Sequence, residues 1–326
     1  MRPKRLVLAL LVATALVPGT MLRSPEPPRD YKHLATFAAL STRVVQSGPF
    51  TLAAAWEMTG DRLQFGGWSA LVRLDEQRFL AGSDGGRRLV FERPDRSDLP
   101  AVLDRFGADV WAVKESRDLE SLAVDPDTRT VWAGYEFRQS IVRFDAAFEP
   151  DGEVRPAAML DWEDNGGPEA LARFEDGRFL VIEESPTSWR GNRHNAIVFA
   201  GDPVDGAEAK ALTIEVPAGY RPVDATPVGE GRALVLLRKL VWSVPVSFDT
   251  AIALVDIDER DSGGNLSARL LAEFGERIPR DNYEGIAVTE DADGTHVWLI
   301  SDDNFMSFQR TLLLKLRWQA REKARE

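Results

Sequence analysis

The sequence predicts an all-β protein: a β-propeller of five or six four-stranded blades, its ring closed by pairing the N- and C-terminal strands. Three observations predict this. One strand-turn-strand pattern recurs along the chain, its key residues Ser69, Glu120, Glu169, Asp224 and Glu284 lying 51, 49, 55 and 60 residues apart. Near-regular spacing of this kind marks a repeat architecture. The strands are short and rich in Val, Leu, Ile, Phe and Trp, with Asp, Glu and Gly at the turns. Beyond the N-terminal segment no stretch shows a long 3.6-residue apolar period. A β-sandwich whose hairpins only look alike is the competing architecture.

The elements follow in order. Arg2, Lys4 and Arg5 precede an apolar run from Leu6 to Val17, then Pro18 and Gly19, the layout of a secretory signal. Residues 1–22 are therefore read as a signal peptide or, uncleaved, a signal anchor, and export to a periplasm is expected. The run is shorter than the roughly 20 residues a membrane-spanning helix needs, so contact with a membrane is expected through this segment alone. Residues 23–45, beginning with the proline-rich "LRSPEPPRDYKH", are read as linker and domain entry. The propeller domain is placed at 46–320 and a charged tail at 321–326.

Within the domain, the repeating units are "GGWSALVRLDEQRFLAGSDGGRRLVFER", "RDLESLAVDPDTRTVWAGYEFRQSIVRFD", "GGPEALARFEDGRFLVIEES", "RPVDATPVGEGRALVLLRK" and "DNYEGIAVTEDADGTHVWLISDDNF". Fourth strands are expected at 109–116, 154–160, 209–216 and 268–274. The last unit shows three strands, and "FTLAAAWEM" at 50–58 is expected to supply its fourth. Such closure removes exposed sheet edges. A sixth unit has room in residues 30–60 or in the long 224–284 interval.

In a propeller, first strands line the centre and loops gather at one mouth. The repeat therefore brings Glu120, Glu169, Asp224 and Glu284 to equivalent depth, with Ser69 in the remaining unit. A second ring follows the second strands: Asp84, Glu136 with Arg138, Glu183 with Glu184, Arg238 with Lys239, and Asp302 with Asp303. Crowded carboxylates repel unless a cation neutralises them or some bind protons. An oxygen-only cluster suits a hard cation, and calcium is the expected one. The competing reading of each single residue is a strand-end carboxylate that caps a turn.

Charge limits the partners. Lys and Arg number 40 against 52 Asp and Glu, a formal charge of -12, which argues against nucleic-acid binding. The chain has no cysteine, which excludes disulfides and a thiol nucleophile. There is no G-x-S-x-G elbow for a serine esterase. Of the three histidines, His33 lies near the linker and His296 inside a strand, leaving His194, read as a loop residue, as the candidate base. Trp68 and Trp189 are placed beside mouth loops, where they would stack on a ligand ring, whereas Trp111, Trp132 and Trp298 are expected to pack between sheets.

Four stretches, "FGGWSALVRL…RFLAGSDGG" at 65–86, "DLESLAVDP" at 118–126, "PEALARFEDGRFLVIEE" at 168–184 and "NYEGIAVTEDADGTHVWLISDDNF" at 282–305, resemble the phytase-like domain family, described as having esterase-like activity of phytase. The resemblance implies a propeller fold, export, and a calcium-dependent hydrolase acting on a small phosphate ester or other ester. Carried over by position, it implies site residues at Asp84, Glu120, Glu169, Glu284, Asp302 and Asp303. The metal set is expected to be Asp84, Glu120, Glu284, Asp302 and Asp303, and the catalytic set Glu169, Glu120 and Glu284, with Glu169 as base. Arg138, Arg238, Lys239 and Arg310 are the candidate substrate-binding cations. The fourth unit departs from the pattern, reading "VDATPV" where Glu-small-Leu is expected. A non-enzymatic binding mouth is the alternative function.

Overall fold

The computed structural model describes residues 34–60, 65–107, 118–243, 247–306 and 309–319. The expected signal (1–22), the proline-rich linker, the strand at 109–116 and the tail at 321–326 lie outside the described residues, as do His33 and Trp111. Among the described residues the chain is all-β, and no helix is long and apolar enough to cross a membrane.

The described chain enters through β1 (Leu34–Ala39), β2 (Gln46–Ser47) and β3 (Phe50–Gly60), and four up-and-down meanders follow. They are β4 (Trp68–Arg73) to β7 (Ala101–Arg105) through β5 (Arg78–Ser83) and β6 (Arg87–Glu92); β8 (Leu119–Val124) to β11 (Pro150–Val154) through β9 (Val131–Tyr135) and β10 (Ser140–Phe144); β12 (Pro168–Arg173) to β15 (Ala209–Glu215) through β13 (Phe179–Pro186) and β14 (Arg193–Phe199); and β16 (Arg221–Pro227), β17 (Arg232–Val241), β18 (Ser247–Asp256) and β20 (Arg269–Glu273). The short β19 (Leu266–Ser267) pairs in parallel with β15. The last meander, β21 (Asn282–Asp291), β22 (Gly294–Asp302) and β23 (Thr311–Trp318), takes β3 as its fourth strand, in a register running from Thr311↔Met58 to Trp318↔Phe50. The expected pairing of the two ends is thus present.

The sequence pattern explains where the core lies. Strands carry apolar residues on both faces because each sheet is covered on both sides, as in "LVLL" of β17 and "VWLI" of β22. The buried side chains fall into clusters, each between two consecutive meanders, and one joins the last meander to the first through Trp56, Trp298, Ile300, Leu71 and Phe79. Trp56 and Trp298 stack there at 5.7 Å. The first strands β4, β8, β12, β16 and β21 pack in that order, and β21 packs back on β4. This is a propeller-like arrangement.

Several expectations are corrected. The fourth strand of the first meander is Ala101–Arg105, ahead of the expected 109–116, which lies outside the described residues. The strand expected at 154–160 is β11, ending at Val154, because Pro156 withholds a ladder donor and a 3-10 turn follows at Ala157–Met159. Part of the expected linker is β1, which inserts between β3 and β7 and fuses the first and last meanders into one ten-stranded sheet. In the intervals 30–60 and 224–284, where a sixth unit had room, the described residues supply strands to these sheets. His194 is not in a loop: it lies on β14 and is buried.

Candidate functional site

The first strand of every meander carries a β-bulge at its opening. The register skips between Trp68 and Ala70, Leu119 and Ser121, Pro168 and Ala170, Pro222 and Asp224, and Tyr283 and Gly285. The unpaired residues are Ser69, Glu120, Glu169, Val223 and Glu284. A bulge releases one residue from the ladder and re-aims its side chain, so the three glutamates converge as an inner tier. Asp224 is one place out of register with them, which corrects its expected equivalence. It is fully buried, and its carboxylate accepts the N–H groups of Ile286 at 2.8 Å, Leu71 at 3.4 Å and Ala225 at 2.8 Å. It therefore ties the first strands of three meanders together, and burial pushes its pKa well above the usual carboxylate range.

The outer tier follows from the same registers. Just before each bulge the first strand pairs with Ser83, Tyr135, Glu183, Leu237 or Ser301 of the second, and the positions that follow these are Asp84, Glu136, Glu184, Arg238 and Asp302. Close backbone approach at this level needs glycine: Gly67 has φ +67°, and a Cβ there would lie 2.3 Å from Asp84 Oδ1.

The tiers meet in two groups. In the first, carboxylate oxygens of Asp118, Glu120 and Glu136 lie within 4.8 Å of one another. Burial raises the pKa of Glu120 well above its ordinary value, and Glu169, Asp118, Glu136 and Glu284 add to the rise. Glu169 is raised likewise, by burial and then by Glu184, Glu136 and Glu284, with Arg238 opposing. Both keep partial solvent access, and among the described residues neither carboxylate has a hydrogen-bond partner. In the second group Asp302 is raised by burial, Glu284, Asp84 and Asp303. Asp303 accepts the N–H groups of Gly67 at 3.2 Å and Phe305 at 3.0 Å. Glu284 links the groups, its own pKa raised by burial against the pull of Arg238 and Asn282.

Arg238 is the guanidinium among these acids. It pairs with Glu284, donates to Glu184 at 2.8 Å and to Asn282 at 3.0 Å, and stacks over Phe248. The other candidate cations are held outside the tiers: Arg138 by Glu153 at 2.7 Å, Lys239 over the Tyr220 ring at 4.4 Å and near Asp249 at 3.8 Å, and Arg310 by Asp281 at 3.7 Å. Sequence reasoning missed Asp118. Its signal was position: it stands two residues before the bulge, where the other units have Gly67, Gly167, Arg221 and Asn282. Trp68 is fully buried and does not reach the mouth, whereas Trp189 is 87% exposed. His194, wholly buried, has its pKa lowered to about 4 by burial and is neutral near pH 7.

A further acidic group, Asp291, Asp293 and His296, sits at the far ends of β21 and β22. Asp291 is already neutralised by Arg93 at 2.6 Å and Arg96 at 2.8 Å, so this cluster is a seam between the last and first meanders. A concavity of about 440 Å³ lies at the β4–β5 turn, around Asp75 and Arg78, also away from the tiers.

The raised carboxyls set a pH dependence. Each binds its proton more tightly folded than unfolded, so stability falls as pH rises from the unfolded carboxylate range, about 4.5, through the folded values, by about 1.4 kcal/mol per pH unit for each proton difference. In chelator, urea unfolding should give a lower stability at pH 8 than at pH 5. A higher stability at pH 8 would contradict the clustering.

The fold and these tiers define a class: an all-β, propeller-like protein with an oxygen-only acidic site at one end of its sheets. The chain belongs to the phytase-like family, "Esterase-like activity of phytase", whose model matches residues 63–305. No curated protein matches it in sequence. Among solved structures it is similar to U3-55K, with a TM-score of 0.44 and 9% identity over 78% of this chain and 96% of that one. It is also similar to the RRP9 WD40 repeats, with a TM-score of 0.42 and 8% identity over 86% of this chain and all of that one.

Proposed function

We propose that this protein is an exported hydrolase of phosphate-ester or other ester bonds, working at the acidic mouth of a closed five-bladed propeller with a bound calcium ion. The observation that carries this reading is the set of bulges that brings Glu120, Glu169 and Glu284 together, in a chain of the phytase-like family. The donor set fits a hard cation, because Asp118, Glu120 and Glu136 offer only oxygen and stand close enough to share one ion. Asp84, Asp302 and Asp303 form a second oxygen-only group. When bound, calcium supplies charge that polarises a phosphoryl or carbonyl oxygen and offsets the acidic mouth.

The remaining chemistry falls to the chain. Glu169, whose carboxylate has no hydrogen-bond partner among the described residues and whose pKa burial raises above its ordinary value, takes the proton of the attacking water and returns it to the departing alcohol. Water adds, the ester bond breaks, and acid and alcohol leave. Arg238, fixed by Glu184 and Glu284, directs its guanidinium toward substrate oxygens. Arg138, Lys239 and Arg310 would serve as outer contacts for a polyanionic substrate.

Turnover of p-nitrophenyl phosphate and p-nitrophenyl acetate tests this. Activity on at least one should vanish in chelator and return with calcium. No turnover of a wider ester panel under either condition would leave the non-enzymatic binding mouth, a reading that the exposed Trp189 favours.

A further inference from the structure

Two residues before the bulge, the five first strands carry Gly67, Asp118, Gly167, Arg221 and Asn282 in turn. Only the fourth meander places a cation there. Arg221 is exposed, opens β16, and stands directly across the ladder from Arg238 on β17. Like charges at facing positions of an antiparallel pair repel, yet both guanidinium groups come to one residue. Arg238 Nη2 donates to Glu184 Oε1 at 2.8 Å, and Arg221 Nη1 donates to the Glu184 carbonyl oxygen at 3.4 Å.

The two arginines are unequally engaged. A guanidinium carries a fork of N–H donors. Arg238 spends its Nη1 on Glu284 and Asn282 and its Nη2 on Glu184. Arg221 has the long bond to the Glu184 carbonyl and, among the described residues, no carboxylate partner. Glu184 and Glu284 balance Arg238, so the positive charge left over at this pair is that of Arg221. An oxyanion is suited to such a pair, because charge-assisted N–H donors reach it from two directions. The surroundings fit a substrate. Arg238 lies close enough to Glu169 to oppose the rise in pKa that burial and neighbouring carboxylates cause there. Glu169 belongs to β12, which packs between β8 of the second meander and β16 of the fourth. The group of Asp118, Glu120 and Glu136, the proposed base and the arginine pair therefore stand on three successive meanders.

We propose that Arg221 is a specificity-determining residue: beside Arg238 it holds an oxyanion of the substrate, phosphate or carboxylate, at the fourth-meander side of the mouth. This deepens the hydrolase reading and rests on it for the cleavage of what is bound; the anion site itself does not require turnover.

The test is calorimetric titration of the full chain, in the presence of calcium, with inorganic phosphate and separately with acetate. Saturable one-to-one binding of at least one is expected, and the tighter of the two identifies the oxyanion. Arg221→Ala should weaken that binding by about tenfold or more, at an unchanged thermal midpoint because the side chain is exposed. Arg221→Lys, which keeps the charge and loses the fork, should fall between the two. Arg129→Ala removes an exposed arginine at the opposite strand ends, on the β8–β9 turn, and should stay within about twofold of the parent. Absence of saturable binding by the parent overturns the proposal, as does undiminished binding by Arg221→Ala. An equal loss in Arg129→Ala would reduce the effect to net charge, and a lost midpoint accompanying lost binding would make Arg221 a structural residue; either overturns it. Anion binding that depends on Arg221 in a protein cleaving no ester would sink the hydrolase reading alone, whereas turnover with full anion affinity in Arg221→Ala would sink the arginine pair alone.

Discussion

Replacing Asp224 with alanine is expected to lower stability by about 4 kcal/mol and the thermal midpoint by about 10 °C. The side chain is wholly buried, and its oxygens accept the backbone N–H groups of Leu71, Ile286 and Ala225. Alanine would leave those donors in an apolar setting with no acceptor, at about 1–3 kcal/mol for each unsatisfied buried group. Asp224→Asn keeps one carbonyl oxygen for Leu71 and Ile286 but turns an N–H toward Ala225, so about half the loss is expected. Urea unfolding of both variants measures this. An alanine variant within about 1 kcal/mol of the parent would show that Asp224 does not tie the first strands together.

Glu120 and Glu284 are expected to respond in opposite ways to the same change. Glu120→Gln removes a half-buried carboxylate that faces Glu169, Asp118 and Glu136 and pairs with no cation, so metal-free stability above the carboxylate range should rise by about 1 kcal/mol. Calcium affinity should meanwhile fall about 100-fold, or about 2.7 kcal/mol, because an ionic ligand is lost. Glu284→Gln takes a partner from Arg238, which keeps Glu184 and Asn282. Removing one member of a buried ion pair leaves the other's charge poorly compensated, and a loss of about 2 kcal/mol is expected. Chemical unfolding in chelator separates the two. Equal destabilisation by both would mean that these glutamates cap strands and do not crowd one another.

Much of this was legible in the sequence because repetition is a one-dimensional signal. The spacing of Glu120, Glu169 and Glu284 marks equivalent positions, and the apolar "FTLAAAWEM" had to pair with an open sheet edge. What escaped reading depends on registers and on distant neighbours. Asp224 looked like a fourth member because one bulge residue, Val223, shifts the alignment by a single place, and a one-residue slip turns a side chain to the other face. Arg238 is expected from the sequence as a substrate-binding cation, and its pairing with Glu184 and Glu284 leaves no local signal because these partners come from adjacent meanders. Asp118 precedes its strand and carries no pattern of its own, yet it stands beside Glu120 and Glu136. The insertion of β1 between β3 and β7 joins residues far apart in the chain, and local composition offers no sign of it.

Calorimetric titration of the metal-free protein with calcium, in two pH 7 buffers of different ionisation enthalpy, tests the convergence of these carboxylates most directly. Carboxyls whose pKa is raised by burial and by neighbouring carboxylates must give up protons when the ion enters. Saturable binding with an observed heat that differs between the buffers is the predicted result. Heats no larger than dilution in both buffers would contradict a cation site built from Asp118, Glu120 and Glu136.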